Sequence, residues 1–167
     1  MKKILFLLTL GFAVGYGYDA DAQKKTGYVN AQELLETMPE ARKADSSVTK
    51  YTNDLQEQMK LMVDDYQKKV KDFDDKGATW SDAVKEVKTK EIQDLQGRLQ
   101  DFQQSAEEKI AKKRQELFKP ILEKAQKAIK AVGTEGAYDY IFDGGSLLYA
   151  KDSENIMPAV KAKLGIK

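Results

Sequence analysis

The chain has no histidine and no cysteine, and only three prolines and a single tryptophan among its 167 residues. The first two absences remove the usual nucleophile–base pairs, most transition-metal sites, any disulfide frame and the cysteine that a lipid anchor requires. An excess of one charge is also missing: 28 Lys and Arg stand against 27 Asp and Glu, a net charge of +1. A strongly basic nucleic-acid binder is therefore excluded, and no nucleic-acid partner is expected. Glycine is sparse at 11 residues while 33% of residues are charged, which favours long solvated helices over disorder.

Long hydrophobic runs are lacking as well. The longest, Ile4 to Val14, spans eleven residues, short of the roughly 20 needed to cross a bilayer. It follows a basic Met1-Lys2-Lys3 and precedes Ala20-Asp21-Ala22, the small-x-small pattern that signal peptidase reads. Residues 1–22 are thus expected to be a signal peptide, cleaved between Ala22 and Gln23, with an exported product.

What the chain has in quantity is helical periodicity. Apolar residues recur at Ala44, Val48, Tyr51, Leu55, Met59, Met62, Tyr66, Val70 and Phe73. The spacing repeats every 11 residues, a period of about 3.67 that keeps the stripe almost straight along a helix. Thr37-Met38-Pro39-Glu40 reads as a capping box at its start. The pattern stops at Asp74-Asp75-Lys76-Gly77-Ala78, and Thr79-Trp80-Ser81-Asp82 reads as a turn with a fresh cap. A second, patchier stripe follows through Val84, Val87, Ile92, Leu95, Leu99, Phe102, Ala106, Ile110, Leu117 and Ile121. Pro120 lies inside it and predicts a bend, and Gly133 predicts the helix end. Two such helices form an antiparallel, coiled-coil-like hairpin that must project from a smaller body.

Strand-rich sequence supplies that body. Gly27-Tyr28-Val29 is a strand candidate, followed by a short helix capped at Asn30. Tyr138 to Phe142 and Leu147 to Ala150 read as a β-hairpin around Asp143-Gly144-Gly145-Ser146, turn chemistry that permits positive φ. Tyr140, Phe142 and Leu148 alternate with Ile141, Leu147 and Tyr149, so both hairpin faces are apolar. Short strands with two apolar faces and unpaired edges call for other subunits to complete the core. Tyr28, Val29, Tyr140, Ile141, Phe142, Leu147, Leu148 and Tyr149 are the candidate oligomerisation residues. The fold class is α+β and mainly helical, with residues 23–39 and 120–167 as the strand-rich body, 40–119 as the arm, and the tip near 74–80.

Catalysis finds little support. Asp64-Asp65 and Asp74-Asp75 sit on a solvated helix or its tip, and Asp139/Asp143 flank a turn, with no cleft implied. Asp143-Gly144-Gly145 lacks the lysine and following helix of a phosphate-binding loop, and no nucleotide motif occurs, so no cofactor is expected. The stripe of the first helix packs chiefly against the second. Met59, Met62, Tyr66 and Phe73 in that stripe, with Trp80 at the tip, also offer adaptable apolar surface, and Lys112, Lys113 and Arg114 offer positive charge. Charge is uneven along the arm: residues 106–130 carry a net +4 and residues 61–82 a net −2.

Signal peptide, "TGYVNAQELLETMPE", charged helical hairpin, "AYDYIFDGGSLLYA" and a final short helix from Asn155 together resemble the Skp/OmpH family of periplasmic chaperones over the whole mature chain. The resemblance implies a homotrimer whose strands join in a central β-body, with three arms enclosing a cavity. It also implies ATP-independent holding of unfolded outer-membrane proteins. Well-known relatives are strongly basic and this chain is near neutral, which weakens any carry-over of lipid or lipopolysaccharide binding. From the residues alone, a structural coiled-coil adaptor of the cell envelope that binds one folded partner remains the alternative.

Overall fold

A computed structural model describes residues 24–166; the expected signal peptide and its cleavage site lie outside the described residues. The chain runs through strand β1 (Thr26–Val29), helix α1 (Ala31–Thr37), helix α2 (Pro39–Lys76), a 3-10 turn (Gly77–Thr79) and helix α3 (Asp82–Glu135). Strand β2 (Tyr140–Asp143), two further 3-10 turns (Gly144–Ser146 and Asp152–Glu154) and helix α4 (Met157–Leu164) complete it.

The arm follows the periodicity. At 1.5 Å per residue, the 38 residues of α2 extend about 57 Å. Ion pairs Asp45–Arg114 and Lys69–Glu91 join its two helices, one low on the arm and one high, as antiparallel packing requires. Ser81 caps α3, its hydroxyl accepting the Val84 amide at 3.5 Å. Met38 rather than Thr37 is the N-cap of α2, and it makes no side-chain cap bond. The Thr37 hydroxyl donates instead to the Leu34 carbonyl at 2.7 Å, closing α1, and Pro39 begins α2 with its fixed φ. α3 is unbroken through Pro120 and passes Gly133. Gly133 is needed there for close approach, since a Cβ would stand 3.0 Å from Ile141 Cδ1. The helix ends two residues later, at Glu135, in a Schellman motif: Ala137 takes φ 51°, and the Tyr138 amide donates to the Gly133 carbonyl at 2.9 Å.

The body departs most from expectation. β1 and β2 pair in parallel, Thr26 with Tyr140 through Val29 with Asp143, and Asn155 bridges to Tyr28 on the other edge of β1. The expected hairpin does not form, and Leu147–Ala150 is not a strand in the single chain. Asp143 explains why. Its Oδ1 accepts the Gly145 amide at 3.1 Å and the Ala31 amide at 3.3 Å, winding Gly144–Ser146 into a 3-10 turn against α1. Neither Gly144 nor Gly145 adopts positive φ. Gly144 serves close approach, because a Cβ would meet Tyr28 Cδ2 at 3.0 Å and the Asn30 amide nitrogen at 3.2 Å.

One core joins body to arm. Val29, Leu34 and Met38 pack with Ala41 and Ala44 at the foot of α2, with Ile121, Ala125, Ala128 and Val132 of α3, and with Ile156, Met157 and Val160 near α4. Asn30 caps α1 by accepting the Glu33 amide, and Asn155 accepts the Met157 amide at the start of α4. Farther out, Val48, Leu55 and Leu95 are the buried apolar side chains of the seam. Gly97, on the exposed side of α3, has open space where a Cβ would stand. Gly97→Ala is therefore expected to stabilise the arm by about 0.5–1 kcal/mol, read as a rise in melting temperature.

Candidate functional site

The two-stranded sheet has unequal faces. Val29 is buried and Ile141 packs against the core, while Tyr140 and Phe142 on the opposite face are 51% and 47% exposed. Their rings stack with centroids 6.2 Å apart, and register sets Tyr28 beside Phe142. The Lys24 ammonium stands 5.6 Å from the Tyr140 ring centroid at the edge of this aromatic face. Beyond the 3-10 turn, Leu147 is partly uncovered, Leu148 fully exposed and Tyr149 82% exposed. Five of the nine exposed large hydrophobic side chains among the described residues thus fall between Tyr140 and Tyr149. A concentration of that kind marks a surface that another molecule covers.

The oligomerisation candidates therefore divide. Val29 and Ile141 belong to the chain's own core, whereas Tyr28, Tyr140, Phe142, Leu147, Leu148 and Tyr149 retain exposed surface. A clasp beside them ties the segment before β1 to the segment before β2. The Lys25 amide donates to Asp139 Oδ2 at 2.7 Å, and the Lys25 ammonium donates to the Gly136 carbonyl at 2.6 Å while lying 4.4 Å from the Tyr138 ring centroid. Asp139 and Asp143 are thereby occupied in holding backbone. Among the described residues, no group of acidic side chains is arranged to hold a metal ion.

Along the arm, Met59, Met62, Tyr66 and Phe73 lie half-buried in the seam. Trp80 packs edge-on against Phe73, ring centroids 5.7 Å apart, so it staples the tip and keeps part of its ring exposed. Lys112 is exposed and Lys113 half-buried. Arg114 lies 3.6 Å from Asp45 and 5.8 Å from the Phe118 ring centroid, so its charge is partly engaged within the chain. The sequence stripe did not single out Leu61, which is 64% exposed. Its position one residue before Met62, off the spacing of the stripe, is the signal that marks it as outward-facing.

Ion pairs within and between the helices order part of the charged surface. Hydrogen bonding from the Lys124 ammonium holds the Glu40 carboxyl below its ordinary value, and Lys88 does the same for Glu91. Lys76 likewise lowers Asp72 and is itself raised by it. Among the described residues, no helix is long and apolar enough to cross a membrane.

Comparison with known proteins agrees with this arrangement. The family described as "Outer membrane protein (OmpH-like)" matches residues 25–164. The chaperone protein Skp of Photorhabdus laumondii is 24% identical over 160 residues, covering 96% of this chain and 97% of that protein. Skp of Pectobacterium atrosepticum is 22% identical over 156 residues, covering 93% and 94% of the two chains. A solved OmpH-like chain from Caulobacter crescentus superposes with a TM-score of 0.76 at 14% identity, covering 86% of this chain and 85% of that one, and so shares the fold of helical arm on small β-body. This chain belongs to the OmpH-like outer membrane protein family, a family of chaperones rather than enzymes.

Proposed function

We propose that the chain is an exported, ATP-independent periplasmic holdase that keeps unfolded outer-membrane proteins from aggregating. Residues 23–39 and 120–167 form the assembly body of a homotrimer, and residues 40–119 form one of three arms around a cavity. The observation that carries this reading is a helical arm of about 57 Å rooted in a body whose aromatic face and Leu147–Tyr149 segment are uncovered. A single chain offers no enclosure. Three arms meeting at a shared apolar body would supply one.

Tyr28, Tyr140, Phe142, Leu147, Leu148 and Tyr149 cover one another across the assembly, with Val29 and Ile141 supporting them from within each chain. Met59, Met62, Tyr66, Phe73 and Trp80 offer weak apolar contacts to the client, and Lys112, Lys113 and Arg114 attract its acidic segments. Many weak contacts tolerate varied sequences, and their repetition on three arms makes the hold effective. Release follows when the client folds into the membrane and buries the surface being guarded.

A native mass spectrum with and without an unfolded β-barrel protein, paired with light scattering of several such proteins during refolding, tests the proposal. The expected result is a trimer that takes up one client and suppresses aggregation of all of them at stoichiometric amounts. An adaptor for one folded partner would leave the unrelated clients to aggregate, and a stable monomer would remove the cavity.

A further inference from the structure

The arm changes its manner of closure toward the tip. Leu55 and Leu95 are buried in the seam among half-buried Met59, Met62, Leu99 and Phe102, but tipward of Leu95 Tyr66, Val70, Phe73 and Ile92 are all half-buried and, among the described residues, no apolar side chain is buried. Two clefts meet at Ile92. One, of about 340 Å³, is bordered by Tyr66, Val70, Phe73 and Thr89, and the other by Asp65, Lys68, Asp72, Trp80 and Lys88. Loose packing on both sides of one residue leaves little dispersion energy to hold the helices together.

An ion pair contributes there, as Asp45–Arg114 does lower on the arm. Glu91 of α3 accepts from the Lys88 ammonium at 3.0 and 3.3 Å and stands 3.6 Å from the Lys69 ammonium of α2. The Lys69–Glu91 pair crosses the arm, and Lys88 orients the carboxylate for it. These side chains are 35–42% exposed, so the pair is weak and sensitive to salt. Past it, the tip closes on the Phe73–Trp80 edge contact and the buried Gly77 beneath Phe73.

We infer that the arm from about Lys69 to Lys88 is a latch, closed across the seam by Glu91, that opens separately from the rest of the arm and then presents Tyr66, Phe73 and Trp80 to an apolar stretch of an unfolded client. The client half of this inference rests on the holdase reading. The latch half does not. Local opening of a weakly packed segment occurs at free energies well below global unfolding, and ligand-binding segments draw on that low-stability end.

Amide hydrogen exchange of the full chain, followed by mass spectrometry, separates the two halves. Glu91→Gln keeps the size and helical preference of the side chain and removes its charge. Exchange in peptides spanning 69–88 is expected to rise about two- to threefold, the scale of one half-exposed ion pair, with no change over Val48 to Leu55. Added sodium chloride should produce the same rise in the unaltered protein and none in the variant. Unchanged exchange at the tip, or an equal rise along the whole arm, overturns the latch. The association rate with an unfolded β-barrel protein should rise by the same factor in Glu91→Gln, and a constant rate alongside faster exchange overturns the client role. If the unaltered protein captures no unfolded barrel protein, the holdase reading and the client role fall together, while the exchange result still decides the latch.

Discussion

Leu148→Asp is expected to dissociate the assembly and abolish holding while the arm stays helical. Leu148 is fully exposed in the single chain and lies outside its core cluster, so the variant loses nothing within the monomer. Its backbone is equally free: among the described residues, the amides of Leu148, Tyr149 and Ala150 donate to no backbone carbonyl. In the proposed trimer the loss is large. Burying one leucine contributes about 1.5–3 kcal/mol, and an unpaired carboxylate in the same place costs several kcal/mol more. Repeated in three copies, this comes to about 10 kcal/mol or more per trimer, enough to displace the equilibrium at any working concentration. Native mass spectrometry should show monomers where the unaltered chain is proposed to be trimeric, with far-ultraviolet circular dichroism nearly unchanged. A trimer of undiminished stability would place the interface elsewhere. Ile141→Asp is a poorer test, although both residues sit in the same apolar segment. Ile141 packs into the chain's own core beside Gly133, so a charge there unfolds the body and assembly fails for a second reason.

That contrast shows where sequence was sufficient and where it was not. The arm was legible because the stripe residues of α2 recur at helical spacing, and the Asn30 and Ser81 caps depend only on residues three positions away. The tail was not. Alternating apolar residues on both sides of Asp143-Gly144-Gly145-Ser146 match a hairpin, but β2 pairs with β1, whose Thr26 lies more than a hundred positions before its partner Tyr140, and the Asp143 carboxylate is engaged by α1. Local turn chemistry lost to a long-range parallel pairing. Gly133 misled for a related reason: its missing side chain makes room for Ile141, a tertiary demand that reads like a helix stop. Of the candidate surfaces, the aromatic segment was visible as composition alone, whereas Glu91 was not. One carboxylate among many on a charged helix acquires meaning only when register sets Lys69 opposite it.

Leu34→Ala should have the largest effect on the stability of the monomer itself. Leu34 is completely buried at the junction of α1, the foot of the arm and α4, within the one cluster that spans from Val29 to Val160. Truncation there costs about 2–5 kcal/mol, near the upper end where rigid neighbours cannot close the cavity. Its surroundings are rigid: Met38 and Val160 are also fully buried, and the clasp between Lys25 and Asp139 fixes the adjoining strands. Leu95→Ala offers the comparison, since Leu95 is as well buried but lies between two helices with half-exposed neighbours. That seam can draw together, so about 2 kcal/mol is expected there. Because small domains have only about 5–15 kcal/mol of stability, Leu34→Ala should lower the urea midpoint far more than Leu95→Ala and deplete the folded monomers that the proposed trimer requires. Equal or reversed midpoints would mean that the arm seam, rather than the junction, sets the stability of the chain. The expected ordering follows from geometry: the arm can lose a side chain and remain a pair of helices, while the junction is the one place where strands, arm and terminal helix all depend on the same side chains.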